Sequence, residues 1–147
     1  MTFDKFTIKA QETVQEAVNL AQSSGQQSIE PVHLLKAIMT KAKDVTGFIF
    51  QKLGVNAKQV DMLVTQEISH LPRVQGGQPY LSNDTNNILV NAENISQKMG
   101  DQFVSVEPIL LAILASSSTA GRILKDAGCN EKEMREAINE LRQGQKV

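Results

Sequence analysis

The second half of this 147-residue chain repeats the first, and that duplication constrains the fold more than any other feature. With residue 5 placed over residue 80, an offset of 75, identities fall at Ala17/Ala92, Asn19/Asn94, Gln22/Gln97, Gly25/Gly100, Gln27/Gln102, Leu35/Leu110, Ala37/Ala112 and Ile38/Ile113. Apolar exchanges such as Val14/Leu89, Leu20/Ile95, Ile29/Val104 and Leu34/Ile109 fill the register between them. After about position 43 the offset drops to 74, and Gly47/Gly121, Ile49/Ile123, Gly54/Gly128, Asn56/Asn130 and Lys58/Lys132 continue the match. Glycines and apolar positions carry the correspondence, as expected when two segments share one backbone path. The Pro- and Gly-rich stretch 71–79 breaks both helix and strand and reads as the joint. Repeat one then spans 1–70 and repeat two 80–143, with the start of a flexible linker over 144–147 in the closing run Arg142-Gln143-Gly144-Gln145-Lys146-Val147.

Each copy is patterned for helices. Thr7 is placed to cap a first helix whose apolar residues Ala10, Val14, Ala17, Val18 and Ala21 recur at 3–4 spacing up to Gly25. Ser82 opens the equivalent helix, which ends near Gly100. Pro31 suits the first turn of a second helix with the stripe Leu34, Leu35, Ile38 and Met39; Ser105 precedes the counterpart, with Ile109, Leu110, Ile113 and Leu114. A third helix covers about 45–53 and 119–127, stopped by Gly54 and Gly128, and a fourth begins at Asn56 and Asn130. No strand of useful length alternates apolar and polar residues. The fold class is all-α: a single domain of two tandem four-helix repeats with pseudo-twofold symmetry.

Composition excludes several functions. Fifteen basic against sixteen acidic residues, net charge −1, give no basic footprint for nucleic acid. The longest apolar run, Ile109–Ala115, is too short to span a bilayer. No charged-then-apolar leader opens the chain, and the single cysteine, Cys129, fits a reducing compartment, so a cytoplasmic location is expected. No glycine is followed by lysine, so the chain holds no G-x-x-x-x-G-K-[ST] phosphate loop. His33 and His70 lack companion ligands, and Cys129 lacks the context of a nucleophile, so neither a metal site, a cofactor site nor catalysis is expected.

Several segments resemble the Clp N-terminal repeat family, the amino-terminal domain of Clp/Hsp100 AAA+ unfoldases. They are Phe6-Thr7-Ile8-Lys9-Ala10-Gln11, Ile29-Glu30-Pro31-Val32-His33-Leu34-Leu35 and its copy Val104-Ser105-Val106-Glu107-Pro108-Ile109-Leu110-Leu111. Leu71-Pro72-Arg73-Val74 and the run from Gly100 to Glu107 are more similar to the disaggregase branch than to the protease-partnered paralogues. The resemblance implies a compact mobile domain that engages unfolded or aggregated polypeptide for the ATP-driven ring of its own parent chain. It places ATP and Mg in AAA+ domains outside this chain and implies cooperation of the parent with an Hsp70-type chaperone. The alternative is docking of a folded adaptor protein, as in the protease-coupled members. The resemblance also implies substrate-binding residues: Thr7, Asp101 and Glu107 as polar positions, with Leu89 and Leu110 on an apolar groove between the repeats. Asn91, Pro108 and Val32 depart from the family pattern.

Asp101 and Glu107 also stand out without the family, because their counterparts are Gln26 and Val32 and the acids exist in the second copy alone. Chemistry present in one copy of a symmetric scaffold suggests a one-sided task. Helix-end electrostatics is the competing explanation, since Glu107 falls in a first turn. Thr7 is expected to cap in either case. Leu89 and Leu110 serve a groove only if partly exposed at the seam, whereas the apolar run 109–114 otherwise reads as core.

Overall fold

The computed structural model describes residues 2–74 and 76–147; Gln75, within the joint 71–79, lies outside them. Among the described residues, eight helices and two short strands follow one another as α1 (Ile8–Ser23), β1 (Ser28–Ile29), α2 (Pro31–Lys41), α3 (Lys43–Leu53), α4 (Ala57–His70), β2 (Tyr80–Leu81), α5 (Asn83–Lys98), α6 (Val106–Ala115), α7 (Thr119–Asp126) and α8 (Glu131–Arg142). Helices α1–α4 and α5–α8 are the two copies expected from the repeat, and the starts of all pairs but α3 and α7 obey its two offsets. Helix α3 begins at Lys43, two residues before the expected start.

Side chains and backbone signs explain where these helices start and stop. The hydroxyl of Thr7 accepts from the Ala10 N–H at 3.1 Å, satisfying one of the free donors of α1, and Ser82 does the same for Thr85 at 3.1 Å. Asn56 and Asn130 cap α4 and α8 through Gln59 and Glu133. At the other end, Gly54 takes φ 69° at the close of α3, a left-handed turn that lets the chain reverse at no steric cost.

The two copies build one core. Helices α1 and α5 pack on α2 and α6, and α2 also reaches α5, α6 and α7 across the seam. Helix α6 is the centre: every residue from Val106 to Leu114 is buried, so its apolar run is core. The seam is closed by backbone as well. β1 and β2 pair in parallel, Ser28 beside Tyr80 and Ile29 beside Leu81, and an isolated parallel bridge joins Phe6 to Val104. These links are related by the repeat, since Val104 corresponds to Ile29 and Phe6 to Leu81. The segment before each first helix therefore crosses to the other copy and pairs with its connector.

Candidate functional site: two symmetry-related grooves and a buried ion cluster

The crossing segments leave a groove on each side of the seam. In the first, α1 supplies Gln11, Val14, Gln15 and Val18, β1 supplies Ile29, the segment entering β2 supplies Pro79, Tyr80 and Leu81, and Phe3 closes one end. The cavity measures about 370 Å³. Val14 and Ile29 form a buried floor, Val18, Leu81 and Phe3 are half-buried, and Tyr80 stands 54% exposed on the rim. Phe3 is held edge-on to Phe6, ring centroids 5.0 Å apart. An apolar floor with glutamine amides along one wall has the chemistry to receive apolar side chains.

The second groove occupies the equivalent place in the other copy, with about 320 Å³ lined by Lys5, Glu93, Ser96, Gln97, Asp101, Gln102, Phe103 and Val104. The repeat register sets Glu93 against Val18, Lys5 against Tyr80 and Val104 against Ile29. One backbone architecture thus carries an apolar groove and a charged one.

Beside the charged groove lies a cluster that holds both acids singled out by the sequence. Arg142, the last residue of α8, donates from Nη1 to Asp101 Oδ2 at 3.0 Å and Oδ1 at 3.2 Å, from Nε to Glu107 Oε1 at 2.8 Å, and from Nη2 to Ser105 Oγ at 2.8 Å. The Asp101 side chain is 0% exposed, Arg142 8% and Glu107 11%. A guanidinium fork with four oxygen partners on three residues, in a site of low solvent access, is a strong, geometrically specific arrangement. The first copy has an uncharged version in the same place. The Glu30 N–H donates to His33 Nδ1 at 2.9 Å, leaving the hydrogen on Nε2 to reach Gln26 Oε1 at 2.7 Å, while Gln26 Nε2 donates to the Ile68 carbonyl at 2.5 Å. Gln26, Val32 and Ile68 become Asp101, Glu107 and Arg142 in the second copy. In both, the cluster ties the end of a fourth helix to the connector between the first and second.

This geometry corrects two expectations. Leu89 and Leu110 are 0% exposed, so neither presents surface at the seam. Leu89, the counterpart of the groove residue Val14, is a buried residue of α5, and Leu110 lies on α6, buried from Val106 to Leu114. The carboxylates of Asp101, at the edge of the charged groove, and of Glu107 are both engaged by Arg142. The tail does not run free either: the Val147 N–H donates to Asp101 Oδ1 at 3.1 Å, and its oxygen accepts from the amides of Gln102 and Phe103 at 2.6 and 3.2 Å. Thr7, by contrast, caps as expected and joins the seam, its N–H donating to the Val104 carbonyl at 2.9 Å. Asn91 lines a mixed cleft of about 280 Å³ with Asp84, Asn87, Ile88 and Ser116–Ser118, away from the apolar groove.

The remaining titratable candidates are structural. Burial holds His33 down at about 4, against a weaker upward pull from Glu30, so it is neutral at physiological pH. Burial, reinforced by Glu133, raises the Cys129 thiol to about 11, which keeps it out of nucleophilic chemistry. Among the described residues, no group of three or more His, Cys, Asp or Glu is arranged to hold a metal ion, and no helix is long and apolar enough to cross a membrane.

Comparison with known proteins agrees with this architecture. A family model described as the Clp repeat (R) N-terminal domain matches residues 5–141. All 147 residues align with the chaperone protein ClpB of Bacteroides thetaiotaomicron at 58% identity and with that of Porphyromonas gingivalis at 46%, in each case covering 17% of the relative's length. The crystal structure of the Hsp104 N-terminal domain from Candida albicans superposes with a TM-score of 0.82 at 22% identity, covering 98% of this chain and 95% of that one. The N-terminal domain of the ClpV1 ATPase from E. coli gives 0.82 at 14% identity, covering 98% and 89%. With two four-helix copies in register and a family match over nearly the whole chain, this protein belongs to the Clp repeat N-terminal domain family and is similar in sequence to ClpB chaperones.

Proposed function

We propose that this domain takes up exposed apolar segments of unfolded or aggregated polypeptide in the groove between α1 and the β1–β2 pair, and delivers them to the AAA+ ring of a ClpB-type disaggregase. ATP and Mg would act in that ring, and an Hsp70-type chaperone would cooperate with the parent in the cytoplasm. The observation that carries this reading is the lining by Phe3, Val14, Val18, Ile29, Tyr80 and Leu81, set against the charged lining of the symmetry-related groove. Apolar surface is what distinguishes an unfolded client from a folded one. Burying two client side chains gains about 4 kcal/mol, which corresponds to millimolar affinity and suits a domain that must release its client.

Within this reading, Thr7, Asp101 and Glu107 act on the client indirectly. They hold the seam and the connector that frame the grooves, while Leu89 and Leu110 belong to the shared core. The test is a titration of the chain with a permanently unfolded, carboxymethylated protein, followed by NMR. Shifts centred on Val18, Tyr80 and Leu81, abolished by Val18→Lys, are expected. Shifts elsewhere, or undiminished binding by Val18→Lys, would reject the groove.

A second reading is docking of a folded partner. A solved complex of a ClpV N-domain with a VipB peptide, TM-score 0.76 at 16% identity, shows a relative of this fold with a partner peptide. Saturable one-to-one binding of a single folded protein, with no response to the unfolded probe, would favour it.

A further inference from the structure

The segment that sequence reading assigns to a free linker is built into the domain. Gln143 takes φ 53° and Gly144 φ 77°, two successive left-handed residues that turn the chain back at the end of α8. The turn is closed by the Gly144 N–H on the Asn139 carbonyl and the Gln145 N–H on the Arg142 carbonyl, each at 3.1 Å. The segment then crosses the connector between α5 and α6. The Lys146 stem lies over Gly100, 3.8 Å from where a Cβ would stand, and Val147 makes its three backbone bonds to Asp101, Gln102 and Phe103.

The first copy repeats the arrangement. Where the chain leaves α4, the stem of Arg73 lies over Gly25, also at 3.8 Å from a built Cβ, and the Val74 N–H donates to the Gly25 carbonyl at 3.0 Å. Gly25 and Gly100 are repeat counterparts, so Lys146 and Val147 take the place beside the connector that Arg73 and Val74 take in the first copy, although the backbone bonds differ. In the first copy this segment leads on to β2, which pairs with β1. In the second copy the corresponding partner position, beside Val104, is already filled by Phe6. A continuation past Val147 has no strand to join there.

We infer that Gln143–Val147 is a structural strap, latched by the Asp101 carboxylate, which bridges Arg142 on one side and the Val147 amide on the other. The strap moves the first freely pivoting position past Val147 and fixes the exit of the chain beside Phe103. Asp101 is a positioning residue in this device: it carries the strap and the end of α8 together. Because the strap bonds the Gln102–Phe103 backbone and Thr7 bonds the next residue, Val104, the exit and the seam share one rigid connector. This inference stands whether or not the apolar groove binds clients.

Amide hydrogen exchange tests it, in this chain and in the same chain lengthened by a Gly-Ser tail, where the Val147 oxygen is a peptide carbonyl. Protection of Gln102 and Phe103 at least tenfold above free-chain rates is expected in both. Val147→Pro removes the N–H to Asp101 without touching the Arg142 ion pairs, and should cost that protection about tenfold while amides in α6 stay protected. Gln145→Ala, at an exposed site, should change nothing. Protection lost on lengthening the chain would show a terminal carboxylate contact only and overturn the proposal, as would unchanged protection in Val147→Pro.

Discussion

A single guanidinium at the end of α8 holds two acids, a serine and, through Asp101, the strap. Arg142 escaped sequence reading because its partners lie 41 and 35 residues upstream, beyond any local pattern. The repeat did carry a signal for it: three positions change character together between copies, Gln26 to Asp101, Val32 to Glu107 and Ile68 to Arg142. Two new acids and one new base at corresponding places are the mark of a compensated cluster, and compensation is what burial of charge requires. Arg142→Gln should lower stability by about 3–5 kcal/mol, read as the urea midpoint, because two carboxylates lose their cation. Installing the first copy's side chains at all three positions, Asp101→Gln, Glu107→Val and Arg142→Ile, should recover at least half of that loss; no recovery would mean that the cluster is not self-contained. His33 sets the acid side of the same question. Its folded-state value of about 4 lies below the ordinary 6.5, so the unfolded chain binds the extra proton first. Its contribution is present above about pH 6.5 and is lost as pH falls toward 4, up to about 3 kcal/mol in all. In His33→Gln, which keeps donor and acceptor groups, unfolding should lose most of its pH dependence across that window; an unchanged slope would assign the acid lability to other groups.

At the scale of elements the sequence was most legible, because caps, glycine stops and apolar stripes act over one or two turns. Thr7, Ser82, Asn56 and Asn130 each cap through the side chain. Ser105 occupies the cap position of α6 but spends its hydroxyl on Glu107 and Arg142 instead. Exposure at the seam was not legible: Val14 and Leu89 are equivalent in pattern, yet only Val14 lines a groove. That difference depends on what packs across the seam, which periodicity cannot report. The glycines Gly47 and Gly121 make the point quantitatively, being equivalent in register and different in surroundings. A Cβ at Gly121 would stand 2.6 Å from the carbonyl oxygens of Ile113 and Ser116, so this glycine lets α7 approach the end of α6. At Gly47, in α3, a Cβ meets nothing within 4 Å. Gly121→Ala should therefore destabilise by about 1–3 kcal/mol, while Gly47→Ala should stabilise by about 0.5–1 kcal/mol through helix propensity. Thermal denaturation of the pair separates them by sign; equal shifts would contradict the packing described for α7.

For the whole molecule, duplication does more than supply stability to a chain with few aromatics. It produces two crossing segments, two grooves and two helix-end clusters, and then lets each pair diverge without disturbing the shared core. The grooves have diverged in lining alone: Val18 faces Glu93 across the pseudo-twofold relation, and Tyr80 faces Lys5, on the same backbone path. Covering a carboxylate with an apolar client side chain costs free energy that an apolar contact must first offset, so on the proposed reading Glu93 disfavours such clients in the second groove. The consequence is a change in stoichiometry. Glu93→Val with Lys5→Tyr gives the second groove the first one's residues at two positions, and both sites are partly solvent-facing, so the fold should persist. Isothermal titration with a short apolar peptide should then rise from one site towards two per chain, and Val18→Lys in that background should return it to one, now at the second groove. If the doubly substituted chain still binds a single peptide, side-chain lining does not set the difference, and the docked strap beside Phe103 becomes the feature that keeps the second groove closed.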